Sequence, residues 1–127
     1  MNLDSIHQLR LEFEKMFSRI PNFISSIDNL HVVLWHALLE CNDVLMRLVV
    51  ARVLSDRQIS KIINDFHDYI EAIIDNTPES LHLHISAYYT ILLKKMIMRS
   101  KEEEHYEVSA NVKKFSDFYF NNNITTP

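Results

Sequence analysis

The chain has 127 residues, a formal net charge of −4, a single cysteine and no glycine. Its length predicts one domain with a hydrophobic core that needs no cross-links, and a single cysteine excludes an intrachain disulfide. The lack of glycine excludes the phosphate-binding loops of P-loop and Rossmann enzymes, and predicts that helices end on asparagine or fray. The acidic balance argues against broad electrostatic binding to nucleic acid or anionic membranes.

The first predicted helix runs from Asp4 to Arg19. Its apolar residues, which include Leu9 and Phe13, form a stripe about 100° wide. Such a stripe is typical of a surface helix that packs against the core on one side only.

The most apolar part of the sequence lies between Leu30 and Leu54 and predicts a long central helix at about residues 29–54. This segment is apolar around most of a helical wheel, so it requires neighbours on several sides. Charged residues interrupt it and exclude a membrane-spanning helix, which needs about eighteen or more apolar residues in sequence. These charged residues are Glu40, Asp43, Arg47 and Arg52.

A narrow polar stripe follows one side of this predicted helix and comprises Asn29, His36, Glu40, Asp43 and Arg47. The five residues fall within about 60° of one another at 100° per residue. Three interpretations are open. The stripe faces water, with Asp43 and Arg47 as an i,i+4 ion pair; it crosses a dimer or partner interface; or His36 provides catalysis or pH sensing.

Two further helices have clear starting signals. Ser55 followed by Gln58 fits a capping box and predicts the start of a third helix. Thr77 and Pro78 predict the N-cap and the first helical residue of a fourth helix, which runs to about Lys101.

The fourth predicted helix carries more apolar surface than one packing partner uses. Its main apolar arc covers nearly half of the wheel and includes Tyr89, Leu93 and Ile97. Other apolar residues lie outside that arc: Leu83, Ala87, Ile91 and Met98. Because the second predicted helix has a similar surplus, we expect the chain to form a homodimer, for which two-fold symmetry is the commonest arrangement.

The last predicted helix runs from about Glu107 to Phe120, and the polar residues 121–127 predict a disordered C-terminal tail. We therefore predict a single helical domain over residues 1–120. No alternating strand pattern persists anywhere in the sequence. The predicted fold class is all-α, a compact bundle of about five helices around the long second helix.

The reactive side chains form no convincing catalytic pattern. Cys41 lies on the apolar side of the second predicted helix, where a buried thiol is unreactive. His36 and Glu40 have a spacing that suits a metal site in a bundle, but no other helix offers a matching inward pair. Residues 54–63 have the pattern of the first helix of a helix-turn-helix, yet an acidic continuation replaces the turn and basic helix that should follow. We expect no catalysis, cofactor, metal or nucleic-acid binding.

Together these features predict a cytoplasmic, non-catalytic protein-interaction module with no membrane contact, since no apolar export segment is present. It would act as a regulator, adaptor or chaperone-like protein that binds a larger protein, and as a homodimer. Two alternatives are a transcription-related regulator that contacts DNA or the polymerase machinery, and a metal-binding helical bundle. The predicted partner-binding residues are His36, Glu40, Asp43, Arg47, Tyr89, Leu93 and Ile97.

Overall fold

Five α-helices form the structure, a computed structural model that describes residues 3–20, 25–52 and 54–125. We number them α1 to α5 in chain order. They are α1 (Leu3–Phe17), α2 (Trp35–Ala51), α3 (Asp56–Asn76), α4 (His82–Glu102) and α5 (Tyr106–Thr125). The described ranges contain no strand, so the predicted all-α bundle is confirmed.

The region predicted as one long central helix is less regular than expected. A short α-helical turn at Ile27–Asn29 leads into a π-helical turn at Leu30–Leu34, and α2 follows directly. A π turn accommodates an extra residue and so rotates the preceding side chains relative to those of α2. Val32 and Val33 are 67% and 43% exposed. A single regular helix at about residues 29–54 is therefore not confirmed, and α2 itself ends at Ala51.

The C-terminal ends of α2 and α4 both use residues with a left-handed backbone. Arg52 follows α2 with φ 56°, and Glu104 follows α4 with φ 63°. After α4, the N–H groups of Glu104 and His105 donate to the carbonyls of Lys101 and Ser100 at 3.0 and 2.8 Å, the Schellman pattern in which glycine is usual. The expectation of asparagine or frayed ends is wrong at these positions. Each left-handed residue costs roughly 1 kcal/mol because its Cβ crowds the next carbonyl.

The start of α3 is as predicted, whereas that of α4 differs. Ser55 Oγ accepts from the N–H of Gln58 at 3.2 Å, and Gln58 Oε1 accepts from the N–H of Ser55 at 2.8 Å, so the capping box is confirmed. Thr77 instead closes α3, because its hydroxyl donates to the carbonyl of Ile73 at 2.6 Å. A 3₁₀ turn at Glu79–Leu81 then leads into α4.

Helix α5 packs along α3 and α4 and is longer than predicted. It continues past the predicted end at Phe120 to Thr125; residues 126 and 127 lie outside the described ranges, and the disordered tail predicted for residues 121–127 stays a prediction. The sequence contains no proline or glycine between Phe120 and Pro127 that would stop the helix earlier.

One continuous core fills the space between the helices. Aromatic rings connect its layers. Phe13 of α1 meets Phe66 of α3 edge-on with 5.9 Å between ring centroids, and Phe66 meets Tyr89 of α4 at 6.4 Å. Helix α1 ends at Phe17 rather than at the predicted Arg19, and Ile20, which lies beyond its end, is also buried in the core.

His105 joins three helices at one end of the bundle, and we call its contacts the histidine clamp. Its Nδ1 contacts Asp56 Oδ1 at the start of α3, and its Nε2 lies 3.0 Å from the carbonyl oxygen of Val49 in α2. The second carboxylate oxygen of Asp56 accepts from the N–H of Glu107 in the first turn of α5 at 3.2 Å. The ends of α2, α3 and α5 are thereby held in fixed relative positions.

Candidate partner-binding surface

The predicted polar stripe lies on the outer side of α2. His36, Glu40, Asp43 and Arg47 are all exposed in the isolated chain. Leu38 and Leu45, which point to other sides of the helix, are buried in the core. The four polar side chains therefore form one accessible face that solvent or a partner could contact.

Arg47 makes a different ion pair from the one predicted. Its Nη2 donates to Glu12 Oε1 of α1 at 2.6 Å instead of pairing with Asp43 one turn earlier. Helix α1 packs beside α2, so a carboxylate on the neighbouring helix lies within reach. Both side chains are partly solvent-exposed, and a pair of this kind contributes about 0–1 kcal/mol.

Tyr89 and Leu93 belong to the core of the chain. Neither has exposed surface, and α4 packs against both α2 and α5. Tyr89 also shares a 2.8 Å hydrogen bond with His67 of α3. Ile97 is half-buried against the same core. The structure thus removes Tyr89 and Leu93 from the surface that a partner could reach and leaves Ile97 at its edge.

The apolar residues of α4 outside its buried arc form an exposed row, which we call the α4 outer stripe: Leu83, Ala87, Ile91 and Met98. Leu83, Ile91 and Met98 are 56%, 46% and 63% exposed, and Ala87 is also exposed. The row spans roughly 22 Å along the helix and about 80° of its circumference. Large exposed apolar patches often mark interaction sites, so this row is a candidate contact surface. The sequence indicated the α4 outer stripe through the apolar residues that lie outside the main apolar arc of the fourth predicted helix.

A groove of about 740 Å³ lies beside this row, between α1, α2 and α4. An adjoining depression of about 280 Å³ shares Met46 and Arg99 with it and reaches Met98 of the α4 outer stripe. We call the two together the methionine groove. Its apolar lining includes Met46, Val50, Ala51 and Met98, and its charged lining includes Asp43, Arg47, Lys95 and Arg99. The groove therefore joins two residues of the predicted polar stripe to the α4 outer stripe.

The cations around this surface are unevenly compensated. Arg99 contacts Glu102 at 3.2 Å and Glu103 at 3.7 Å. Lys94 and Lys95 form no ion pair with any residue that the structure describes. Both are exposed on α4, between Ile91 and Met98 in the sequence. By helix geometry Lys94 lies within the angular range of the row, between Ile91 and Met98, and Lys95 lies beside it.

A second cluster of functional groups lies inside the bundle between α3, α4 and α5. The Nδ1 of His67 lies 2.8 Å from the hydroxyl of Tyr89, and the ring stacks on Phe115 with 3.7 Å between centroids. Tyr119 donates a hydrogen bond to Glu71, whose carboxylate is 3.5 Å from His67 Nε2.

Burial controls the protonation of this cluster. Burial lowers the pKa of His67, although Glu71 and Asp68 act in the opposite direction. Burial raises the pKa of Tyr89 and of Tyr119, and in Tyr119 the hydrogen bond to Glu71 acts in the same direction. Near neutral pH the imidazole and both phenols are therefore uncharged. Such a network fixes the positions of α3, α4 and α5 relative to one another.

The other reactive groups do not assemble into a second site. Burial, followed by the charge of Glu40, raises the pKa of the Cys41 thiol to about 12, so the thiol stays protonated and unreactive. Among the described residues, no three His, Cys, Asp or Glu side chains lie close enough together to hold a metal ion. Residues 56–76 form one uninterrupted helix, without the turn that a helix-turn-helix requires.

No described helix has the length and apolar character needed to cross a membrane. Comparison with known proteins finds no matching family model, curated protein or solved structure. The chemistry of the surface therefore carries the functional proposal.

Proposed function

We propose that the protein is a non-catalytic interaction module that binds an amphipathic helix of a partner protein. The observation that carries this proposal is the exposed row of Leu83, Ala87, Ile91 and Met98, which continues into the methionine groove. Amphipathic helices bind such grooves through apolar residues at i, i+3 or i+4 and i+7 spacing. Methionine side chains adapt readily to the shape of the bound helix.

The charges around the surface define the chemistry of the partner further. Lys94 and Lys95 have no compensating carboxylate among the described residues. A partner helix with acidic residues beside its apolar face would supply one. Complementary charge of this kind accelerates association and weakens with salt. We expect binding that is fast at low ionic strength and retains its apolar component at high ionic strength.

A small helical domain with such a surface fits the role of a regulator, adaptor or chaperone-like protein. Binding through a helix face requires no cofactor and no chemistry from the His67 cluster. The cytoplasmic location expected from the sequence stays part of this proposal.

Self-association through the same surface gives the homodimer expected from the sequence. Two α4 outer stripes related by a two-fold axis would cover each other. Light scattering tests this form: the wild-type chain would have twice the 15.1 kDa mass of one chain, and Ile91→Asp would restore the single-chain mass. A single-chain mass for the wild-type protein at high concentration would exclude the dimer and leave the partner helix.

Affinity capture from the native host tests the proposal directly. The wild-type chain is compared with Ile91→Asp/Met98→Asp, and with Leu11→Asp, in which the replaced leucine is 46% exposed on α1. We expect the wild-type chain and Leu11→Asp to retain the same proteins, and the double variant to lose them while circular dichroism shows an intact helical fold. Retention of the same proteins by the double variant would reject the surface.

A further inference from the structure

A separate cavity of about 490 Å³ lies between α1 and the first turns of α3. Three cationic side chains line it, Arg10 from α1 and Arg57 and Lys61 from α3, and its described lining contains no acidic residue. The whole chain has a net charge of −4, so this cavity concentrates positive charge against the overall balance. Local charge of one sign in a cleft attracts ligands of the opposite sign.

The cations in this cavity are available to a ligand. Arg10 and Arg57 are exposed and form no hydrogen bond or ion pair with any described residue. Lys61 contacts both carboxylate oxygens of Asp65 at 3.0 and 3.1 Å, but this pair is exposed and water screens it. Asp56, the neighbour of Arg57 in the sequence, is already engaged by the histidine clamp.

Arg57 also lies where the backbone itself is positive. It belongs to the first turn of α3, whose N–H groups are not all used by the capping box and which carries the positive end of the helix dipole. An anion bound beside Arg57 would also be stabilised by this end of the helix. The combination of a helix N-terminus with cationic side chains is the usual chemistry of phosphate and carboxylate binding.

A smaller compartment with a mixed apolar and charged lining adjoins the cationic cavity. It has a volume of about 230 Å³ and shares Arg10 and Ile62 with the larger cavity. Its other lining residues are Phe13, Leu48 and Phe66, with Glu14 and Asp65 as the acidic members. Together the two compartments have the size of a small-molecule site, in which an apolar wall and a few convergent polar groups are typical.

We propose that these two cavities form a binding site for a small organic anion. Arg10, Arg57 and Lys61 hold its phosphate or carboxylate group, and its apolar substituent lies against the half-buried Ile62, which lines both cavities. A polynucleotide fits less well, because the cations are confined to one cavity and the chain as a whole repels a polyanion.

Titration of the full chain with phenyl phosphate and with phenylacetate tests the proposal by calorimetry. Inorganic phosphate serves as the probe that lacks an apolar part, and benzyl alcohol as the probe that lacks a charge. We expect one or both aromatic anions to bind saturably with one molecule per chain and more tightly than either reference probe. The tighter of the two anions identifies the preferred head group.

The arginines provide matched variants for this titration. Arg10→Gln and Arg57→Gln should each weaken binding about tenfold by removing a charge-assisted contact, whereas Lys114→Gln, an exposed lysine of α5, should leave it unchanged. The proposal is overturned if neither anion saturates, if benzyl alcohol binds equally well, or if Arg57→Gln binds like the wild-type chain. Tighter binding of a single-stranded oligonucleotide of about twelve bases that depends on Arg57 would also overturn it, in favour of a nucleic-acid surface.

Discussion

Helix α4 has apolar residues on two faces, and the two faces differ in how far their side chains are buried. One face is completely buried and the other is about half exposed or more. The buried face includes Tyr89, Leu93 and Met96, and the exposed face includes Leu83, Ile91 and Met98. Helix α5 packs against α4 and supplies partners for the first face, whereas the second face stays open. An apolar residue in this chain is thus a core residue only where the chain itself supplies a neighbour.

The largest expected difference between the two faces is in the free energy of unfolding after a charged residue is introduced on each. Leu93→Asp puts an unpaired carboxylate into the core and should lower the free energy of unfolding by about 4 kcal/mol or more, enough to unfold a domain of this size. Ile91→Asp, two residues away on the exposed face, should change it by about 0.5 kcal/mol or less. Urea denaturation followed by circular dichroism measures both. Equal losses would show that the two faces do not differ.

The two methionines of α4 sharpen the same contrast without introducing charge. Met96 has no exposed surface and Met98 is 63% exposed. Met96→Ala should cost about 2–5 kcal/mol because it leaves a cavity in the core. Met98→Ala should leave stability within about 0.5 kcal/mol of the wild-type value while weakening partner binding. A stability loss at Met98 as large as that at Met96 would place Met98 in the core.

The buried face should also make stability depend on pH through His67, which is hydrogen-bonded to Tyr89. Burial lowers the pKa of His67 below 6.5 in the folded chain. As the pH falls from 6.5 toward that lowered pKa, the unfolded chain takes up a proton that the folded chain does not, so the free energy of unfolding falls. Below the lowered pKa this contribution changes no further.

Melting temperatures of the wild-type chain and His67→Gln between pH 7.5 and about pH 5 test this sign. The wild-type chain should lose more stability across this range than the variant, in which the titrating ring is absent. Identical pH profiles would contradict the assignment of His67 as a buried, uncharged ring.

The smallest expected effect on stability is at the C-terminal end of α4, where both faces end. Glu104→Gly should raise the free energy of unfolding by about 0.5–1 kcal/mol, because glycine adopts the observed positive φ without steric cost. Lys101→Gly, inside the last turn of α4, should lower it by a similar amount. Thermal denaturation compares the two. A loss at both positions would argue against the left-handed end of α4.

Local signals in the sequence predicted much of this architecture. The capping box at Ser55 and the polar face of α2 follow from spacings of three and four residues, and both are present. The π-helical turn at Leu30–Leu34 and the left-handed Arg52 carry no comparable signal. They depend on how the chain packs as a whole.

The candidate surface was harder to predict because it depends on long-range packing. A helical wheel shows that α4 is apolar on two sides, but not which side α5 will cover. Tyr89 was assigned to a partner and Ile91 was not, while the structure buries the first and exposes the second. The cationic cavity had no sequence signal, since Arg10 and Arg57 are far apart in the chain and meet only through the packing of α1 near α3.

The labelling rate of a single cysteine placed on the α4 outer stripe tests most directly whether a partner covers this face of α4. The native Cys41 is buried and protonated, so a thiol introduced by Ile91→Cys or by Leu11→Cys labels without background. The surface predicts that Ile91→Cys labels rapidly in the dilute purified protein and much more slowly in concentrated host extract, while Leu11→Cys labels equally fast in both. Equal labelling rates for Ile91→Cys under the two conditions would contradict a partner on this face of α4.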